Sequence, residues 1–592
     1  MSYLPNLEEG RVTRLLTDNF FGYDHNDKIA DGAWWEEENL STRNYPLFSP
    51  RQPRGRIGIQ GGLQGLCVKE YPAYVKDGLV YYNNTVIPGV EVSSEGEKQL
   101  VSMGAYLCIF PDGVYVNTQD FRDWGHMGHA NSLRDENVNI APCDMNGNEY
   151  DLTEAVISNK QPEKPKNGQY WIDTSQTPHR LNQYTDTTGQ WVQLTTVYIK
   201  ISAKGIGIGF SDTDAVTVSG LHAWVESIDV GNQVEKLNAE FVIQKRTDDY
   251  IIVIGVIDKA VTVSGRSVKV ERRVPKMDFV CELDNRLWGC YYGKDHGKSV
   301  NAIYASALGD PKNWYRYEGL ASDSYALSVG SDGPFTGICA YGGNILAWKE
   351  NCVHKVYGNT PATFAMTTNQ CRGVAKGSHK SLAVVNEYLY YLSPEGVCSY
   401  DGSTPSGAWE AFAGEHYSEG RAGSLAGRYY LSAKDSSGQW RLAVLDRAKQ
   451  CWHLEDRVHA MCFAKYGQDL LYIDEDTNEI MSETGANGEK ECCVHWEAVS
   501  GIIGYEYPDQ KYISRYNIRM QMGECSMMWV DVQYDSDGKW IEQFEICAPM
   551  VLRTFLIPVI PRRCDHMRIR LRGEGDVKIF SISKELEVST DA

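Results

Sequence analysis

Phe279 to Gly319, FVCELDNRLWGCYYGKDHGKSVNAIYASALGDPKNWYRYEG, reads as one complete structural unit. Phe279, Cys281 and Leu283 alternate with Val280, Glu282 and Asp284, the period-two pattern of a half-buried strand. Asp284-Asn285 supplies a turn, and Leu287, Gly289 and Tyr291 then share one face opposite Trp288 and Cys290. Gly293 to Gly297 reads as a polar loop, Ala302 to Ala307 as a third strand, and Gly309-Asp310-Pro311 ends it. Short antiparallel strands with turns at this spacing and a tryptophan near the end predict a propeller blade.

Composition agrees with an all-β chain. The 592 residues include 36 Tyr, 15 Trp and 55 Gly against 21 Pro, a strand-and-turn inventory poor in the runs that long helices need. No apolar run of membrane-spanning length is present, and the first ten residues lack the pattern of a signal peptide. The net charge of −20 argues against a protein that grips nucleic acid through its phosphates, since that requires clustered Lys and Arg. A wall that DNA slides past tolerates such a charge. Sixteen cysteines occur without a Cys-x-x-Cys pair, mostly inside apolar runs, as small buried hydrophobes of a protein folded in a reducing cytoplasm would. His126 and His129 lack a third ligand, so no metal and no cofactor is expected.

Outward from Phe279 the chain divides into four parts. Residues 1–130 contain the first blades, with hairpins around Lys76-Asp77-Gly78 and Pro111-Asp112-Gly113. Residues 131–275 interrupt the pattern with a polar, Pro- and Gln-rich segment and then a strand-dense stretch, an inserted β-rich domain. Residues 276–485 carry the remaining blades at roughly 40-residue spacing. Six or seven blades are predicted, the closing one built from both ends of the propeller. Residues 490–592 alternate strictly in YISRYNIRMQM, MMWVDVQYD and HMRIRLRG, as a C-terminal β-sandwich would.

Catalytic grammar is absent, and the chain reads as a non-enzyme. Asp-x-x-Gly-x-Trp at Asp186, Asp435 and Asp535 invites comparison with the Asp box of propeller sialidases, but the spacing is reversed; hairpin turns with a left-handed Gly account for it. A glycosidase needs two carboxylates across a cleft, and Glu282, Asp323 and Glu350 are nameable without being distinguished. No Gly-x-Ser-x-Gly elbow is present. Gly205-Ile206-Gly207-Ile208-Gly209 reads as a strand or bulge rather than a phosphate loop. Aromatic and charged clusters at Pro311 to Trp314, Trp452 to Asp456 and Pro561 to His566 suit protein interfaces, with Arg562, Arg563 and Asp565 as interface candidates.

Asn285-Arg286-Leu287-Trp288, Tyr304 with Gly309-Asp310 and Trp314, Gly358, Gly377-Ser378, Asp401-Gly402 and Trp452 resemble the blade motifs of bacteriophage tail proteins. They are similar to the packaged-DNA stabilisation, or tail-hub, proteins of short-tailed phages and more loosely to tail nozzle proteins. The resemblance covers mainly Phe279 to Asp456. It implies a virion tail protein made in the host bacterial cytoplasm and assembled as a ring, six-fold in symmetry. Such a ring contacts the portal or adaptor and other tail proteins, lets double-stranded DNA pass its lumen, and retains the genome until ejection. The alternative is a receptor-binding or glycan-processing tail protein whose Trp34, Trp171 and Trp191 stack on sugars.

Overall fold

The computed structural model describes residues 11–588 except 135–136, 178, 195–197, 223–227, 264–266, 296, 505–509, 548–550 and 561. Strands hold 53% of the chain and helix 3%, so the protein is all-β. No helix among the described residues is long and apolar enough to cross a membrane. All sixteen cysteines are free. The chain forms two compact units, one of residues 1–100, 335–355 and 367–592, the other of 101–334 and 356–366.

In the second unit the opening stretch folds as an antiparallel sheet of Phe279–Leu283, Arg286–Asp295, Lys298–Ala305 and Tyr325–Ser328. Asp284 and Asn285 both take positive φ (52° and 58°), the two-residue turn whose twist matches its strands. The expected loop at Gly293 is strand instead, because Gly293 pairs with Val300 and Lys294 with Ser299. The sheet shares a core with the one formed by Gln99–Met103, Tyr106–Phe110, Val114–Asn117 and Trp124–His126, where Met103 and Cys108 meet Leu287 and Trp314.

The same unit holds two further sheets around a core of Ile140, Ile199, Ile201, Val218, Ile251 and Val270, against which the helix Ile228–Lys236 places Val230 and Val234. A smaller sheet spans Val156–Ser158 to Gln190–Gln193. The Gly205–Gly209 stretch is a turn, not the strand its composition suggested. It wraps onto Asn131, whose Nδ2 donates to the carbonyls of Gly205, Ile206 and Ile208.

In the first unit, successive sheets pack in chain order. Trp348 of Asn344–Lys349 meets Tyr391 and Tyr400 of the next sheet. That sheet's Tyr390 and Leu392 pack on Tyr429 and Leu431, and Tyr430 and Leu442 pack in turn on Leu470 and Tyr472. Leu471 and Ile473 then reach Leu66 and Tyr74 of the Leu63–Glu91 sheet. The sheet of Ala460–Tyr466, Asp469–Asp474 and Glu479–Ser482 is completed by Gly55–Gln60, four hundred residues earlier in the chain.

The last hundred residues build two sheets over a core of Trp496, Tyr516, Met528, Ile569 and Ile579. They do not do so alone. Arg11–Thr17, read from sequence with the first blades, pairs with Val577–Val588. Gly22–Tyr23 and Ala33–Glu38 join Cys451–Leu454 to His495–Ser500, so the ten-stranded sheet runs without a break from Ser418 to the C-terminal strands.

Candidate functional site

The residues singled out from sequence serve their own turns and sheets. Arg286 is buried and donates to the carbonyls of Ser306, Asp323 and Ala321, its guanidinium pKa lowered by burial. Asn285 accepts from Gly309 N, Tyr304 pairs with Gly289, and Asp310 accepts from Lys312 N and Asn313 Nδ2. Trp288 packs on Phe364 with ring centres 5.1 Å apart, and Trp314 donates to Pro311 O. A Cβ on Gly358 would stand 2.6 Å from Thr363 O. Gly377 and Gly402 have positive φ, and Asp401 caps its own turn by accepting from Ser403. Ser378 Oγ accepts from Gly420 N, and Trp452 sits against Trp409 and Phe412.

The candidate carboxylates are also committed. Glu282 accepts from Asn285 N, Asp323 from Glu318 N and Leu320 N, and Glu350 from Lys376 N. The three reversed Asp-box segments are turns, with φ of 62°, 85° and 74° at Gly189, Gly438 and Gly538. His129 is spent on Ile208 O, and no metal-holding cluster occurs among the described residues.

A buried charge cluster lies beside the strand Gly55–Gln60. Arg54, 1% exposed, donates to Glu455 at 2.6 Å and to Glu483 at 2.7 Å, and it also holds Asp456. Arg51 donates to Glu491 at 2.7 Å. Burial raises the Glu483 carboxyl well above the usual range and neighbouring Glu455 adds to the rise, although Arg54 opposes it. Burial also pushes Asp456 up, but Arg54 and Arg51 together hold it below its ordinary value. Arg54 and Arg51 answer these carboxylates directly, so the cluster works as a clasp rather than an open acid–base site.

The interface candidates lie at the edge of the C-terminal sheets; Pro561 is outside the described residues. Arg562 covers the Tyr534 ring at 5.0 Å and stands 3.9 Å from Asp537. Asp565 Oδ2 is 2.9 Å from His566 Nδ1, and His566 Nε2 is 2.7 Å from Ser536 Oγ. Asp535 clamps this arrangement, accepting from Asp565 N at 2.7 Å and donating its own N–H to His566 O. Sequence reading missed the Ser–His–Asp geometry because it sought an elbow motif, whereas Ser536 sits in a Ser-Asp-Gly turn at φ 52°. Asp565 is 65% exposed and Ser536 is exposed, so water competes for both groups; the arrangement ties two turns together.

Next to these turns lie the end strands of the C-terminal sheets among the described residues. Ile541–Cys547 is the last strand of the ten-stranded sheet and Arg553–Pro558 the last of its partner, with Ile560 N donating to Gln543 Oε1 between them. Around them Leu556 is 54%, Val551 58% and Ile560 66% exposed. Exposed apolar residues near Arg562, Arg563 and Asp565 in the chain have the composition of a protein interface.

A groove of about 980 Å³ in the inserted segment has a different character. Gln176, His179, Arg180, Gln193, Asn232 and Lys236 line it, without a carboxylate among its described lining residues. Buried Asp258 stands 3.2 Å from His179 Nδ1 and accepts from Gln233 at 2.8 Å.

No protein-family model matches the chain, and no curated protein is similar enough to count as a match. Among matching solved structures is an exo-beta-1,3-galactanase from Phanerochaete chrysosporium bound to galactose, at 9% identity and a TM-score of 0.22, covering 52% of this chain and 94% of that one. PorZ, a bacterial surface component of the type-IX secretion system of Porphyromonas gingivalis, matches at 10% identity and a TM-score of 0.24, covering 88% of this chain and 82% of that one. With a galactanase among these structures, the expectation that the chain is no enzyme is withdrawn. At such scores the likeness assigns no activity in its place.

Proposed function

We propose that the protein is a structural component of a phage virion tail, a hub, adaptor or nozzle ring that extends the DNA channel below the portal. The observation that carries this reading is the order of sheet packing: successive sheets share cores with their successors, and the strand Gly55–Gln60 returns to complete the sheet of Ala460–Ser482. On this reading the sheets are propeller blades, closed by pairing the two ends, and the Arg54 clasp locks the closure. Such a block has few free edges and resists slippage under the force of DNA passage. The net charge of −20 suits a channel that must not hold the genome by its phosphates. Negative-stain imaging of the purified protein tests this: a ring of subunits around a central channel is expected, and discrete trimers count against it.

The groove beside His179 favours a second reading, in which the inserted segment binds an acidic glycan. Amide side chains suit hydroxyls, and Arg180 and Lys236 suit carboxylate or phosphate. Trp34 and Trp171 take no part, since both are buried. Titration with polygalacturonate, compared with neutral dextran, should show binding that Arg180→Ala weakens; equal behaviour of the two polymers removes this reading.

A further inference from the structure

We propose that the open side of the C-terminal sheets docks a second copy of this chain, which lays its Arg11–Thr17 strand antiparallel to Ile541–Cys547. The inference rests on the ring reading and names the surface through which the ring would form.

Both strands are sheet edges among the described residues, and an edge strand carries a row of backbone groups without a ladder partner. Strand addition to such an edge is a common route to association. The side chains set one register. With Arg14 opposite Glu542, Leu15 falls opposite Ile541 and Leu16 opposite Trp540, so charge meets opposite charge and apolar meets apolar. The faces agree over these three pairs, up to the bulge at Gln543 where the alternation of the edge strand shifts. Leu15 lies across from Lys584 on the core side and Ile541 across from core residue Val532, whereas Arg14 lies across from Glu585 and Glu542 across from Asp531 on the outer side. Leu16 is 61% exposed on that outer side, where Trp540 stacks under Arg570 at 4.7 Å.

Arg14 already pairs with Glu585, and Glu542 with Arg572 at 2.7 Å. Docking would therefore set Arg14 between Glu585 and Glu542, at the end of an acidic pair, Glu542 and Asp531, that Arg570 and Arg572 already hold from the other side. Opposed charges on neighbouring strands favour pairing, and the like-charged alternative is penalised. Ile541 and Phe544 face the core side yet remain 37% exposed, since no further strand among the described residues covers them; the incoming Leu15 would cover Ile541. The two edges are different surfaces, so the contact is heterologous. Repeated by rotation it closes a ring, and without closure it grows a filament.

The test uses the full chain with exposed Cys492, Cys525 and Cys547 changed to Ser. Arg14→Cys and Glu542→Cys are made in separate chains, and mild oxidation of the mixture should give a disulfide-linked pair that neither chain gives alone. Arg14→Glu or Glu542→Arg should each weaken self-association about tenfold or more, and both changes in one chain should restore it. A merely structural effect of either change would not be restored. Oligomers that form without the cross-link and ignore the charge swaps overturn the docking edge while leaving the ring reading standing. A chain that stays monomeric at high micromolar concentration also overturns the docking edge, and imaging of assembled tails then judges the ring separately.

Discussion

The sheet of Phe279–Ser328 and the last strands of the C-terminal sheets are both antiparallel and both rich in alternating apolar residues, yet they finish differently. In the first, the polar groups at the turns are answered within the sheet: Arg286 gathers carbonyls of Ser306, Ala321 and Asp323, and Ser306 Oγ accepts from Leu287 N. Its apolar face is covered, with Leu287 and Trp314 fully buried. In the second, Leu556, Val551 and Ile560 stand in water. One region is complete within the chain, and the other has the composition of a surface awaiting a partner. A ring subunit needs both: a block that keeps its shape and an edge that transmits it to the next copy.

This contrast makes its sharpest demand on the interior. Arg54→Ala should cost about 3–5 kcal/mol in urea unfolding, because it leaves Glu455 and Glu483 without their cation and Asp456 with Arg51 alone. Trp288→Ala should cost about the same by opening a cavity against Phe364 and Tyr325. A normally stable variant at either position would break the account of a self-sufficient block. Next comes a pH dependence. His453, buried with Nδ1 2.9 Å from Glu37, has burial acting to lower its pKa, but Glu37 and Cys451 raise it to about 10. A raised pKa gives stability that is whole below about pH 6.5, the unfolded value, and is lost as pH rises toward 10. Melting temperatures from pH 6 to 10 should fall for the wild type more than for Glu37→Gln. Smaller again, Gly438→Ala should cost about 1–2 kcal/mol, since φ there is 85° and Asp435 fixes the turn by accepting from Ser437 N and Gln439 N.

What sequence made legible follows the range of the forces involved. The hairpin at Asp284-Asn285 is local, so two residues and their alternating flanks were enough to place it. The strand Gly55–Gln60 is not local: its partner lies beyond Asp474, and only the expectation that a propeller closes with both ends hinted at it. Arg11–Thr17 escaped for the same reason, because RVTRLLT looks like any edge strand and its place beside Val577–Val588 depends on the far end of the chain. The polar cluster of Ser536, Asp565 and His566 is half legible: Asp565 stands in a charged run of interface composition, but the thirty-residue gap to Ser536 is bridged only by the fold. The open edge was hidden by its own regularity. Strict alternation says which face of a strand is apolar, not whether another strand follows.

The mildest substitution therefore discriminates best. Leu556→Ser removes an apolar side chain that is 54% exposed on the outer face of Arg553–Pro558, across from Asn517, and takes nothing from the core. Monomer stability should change by less than about 0.5 kcal/mol, as for a surface position. If Leu556 belongs to a surface that waits for a partner, the same change should weaken self-association in a sedimentation titration far more than it alters unfolding. Equal, small effects on both would make this edge as inert as any other surface and erase the difference between the two regions. A large loss of stability would place Leu556 in a core, and with it the patch from Val551 to Ile560.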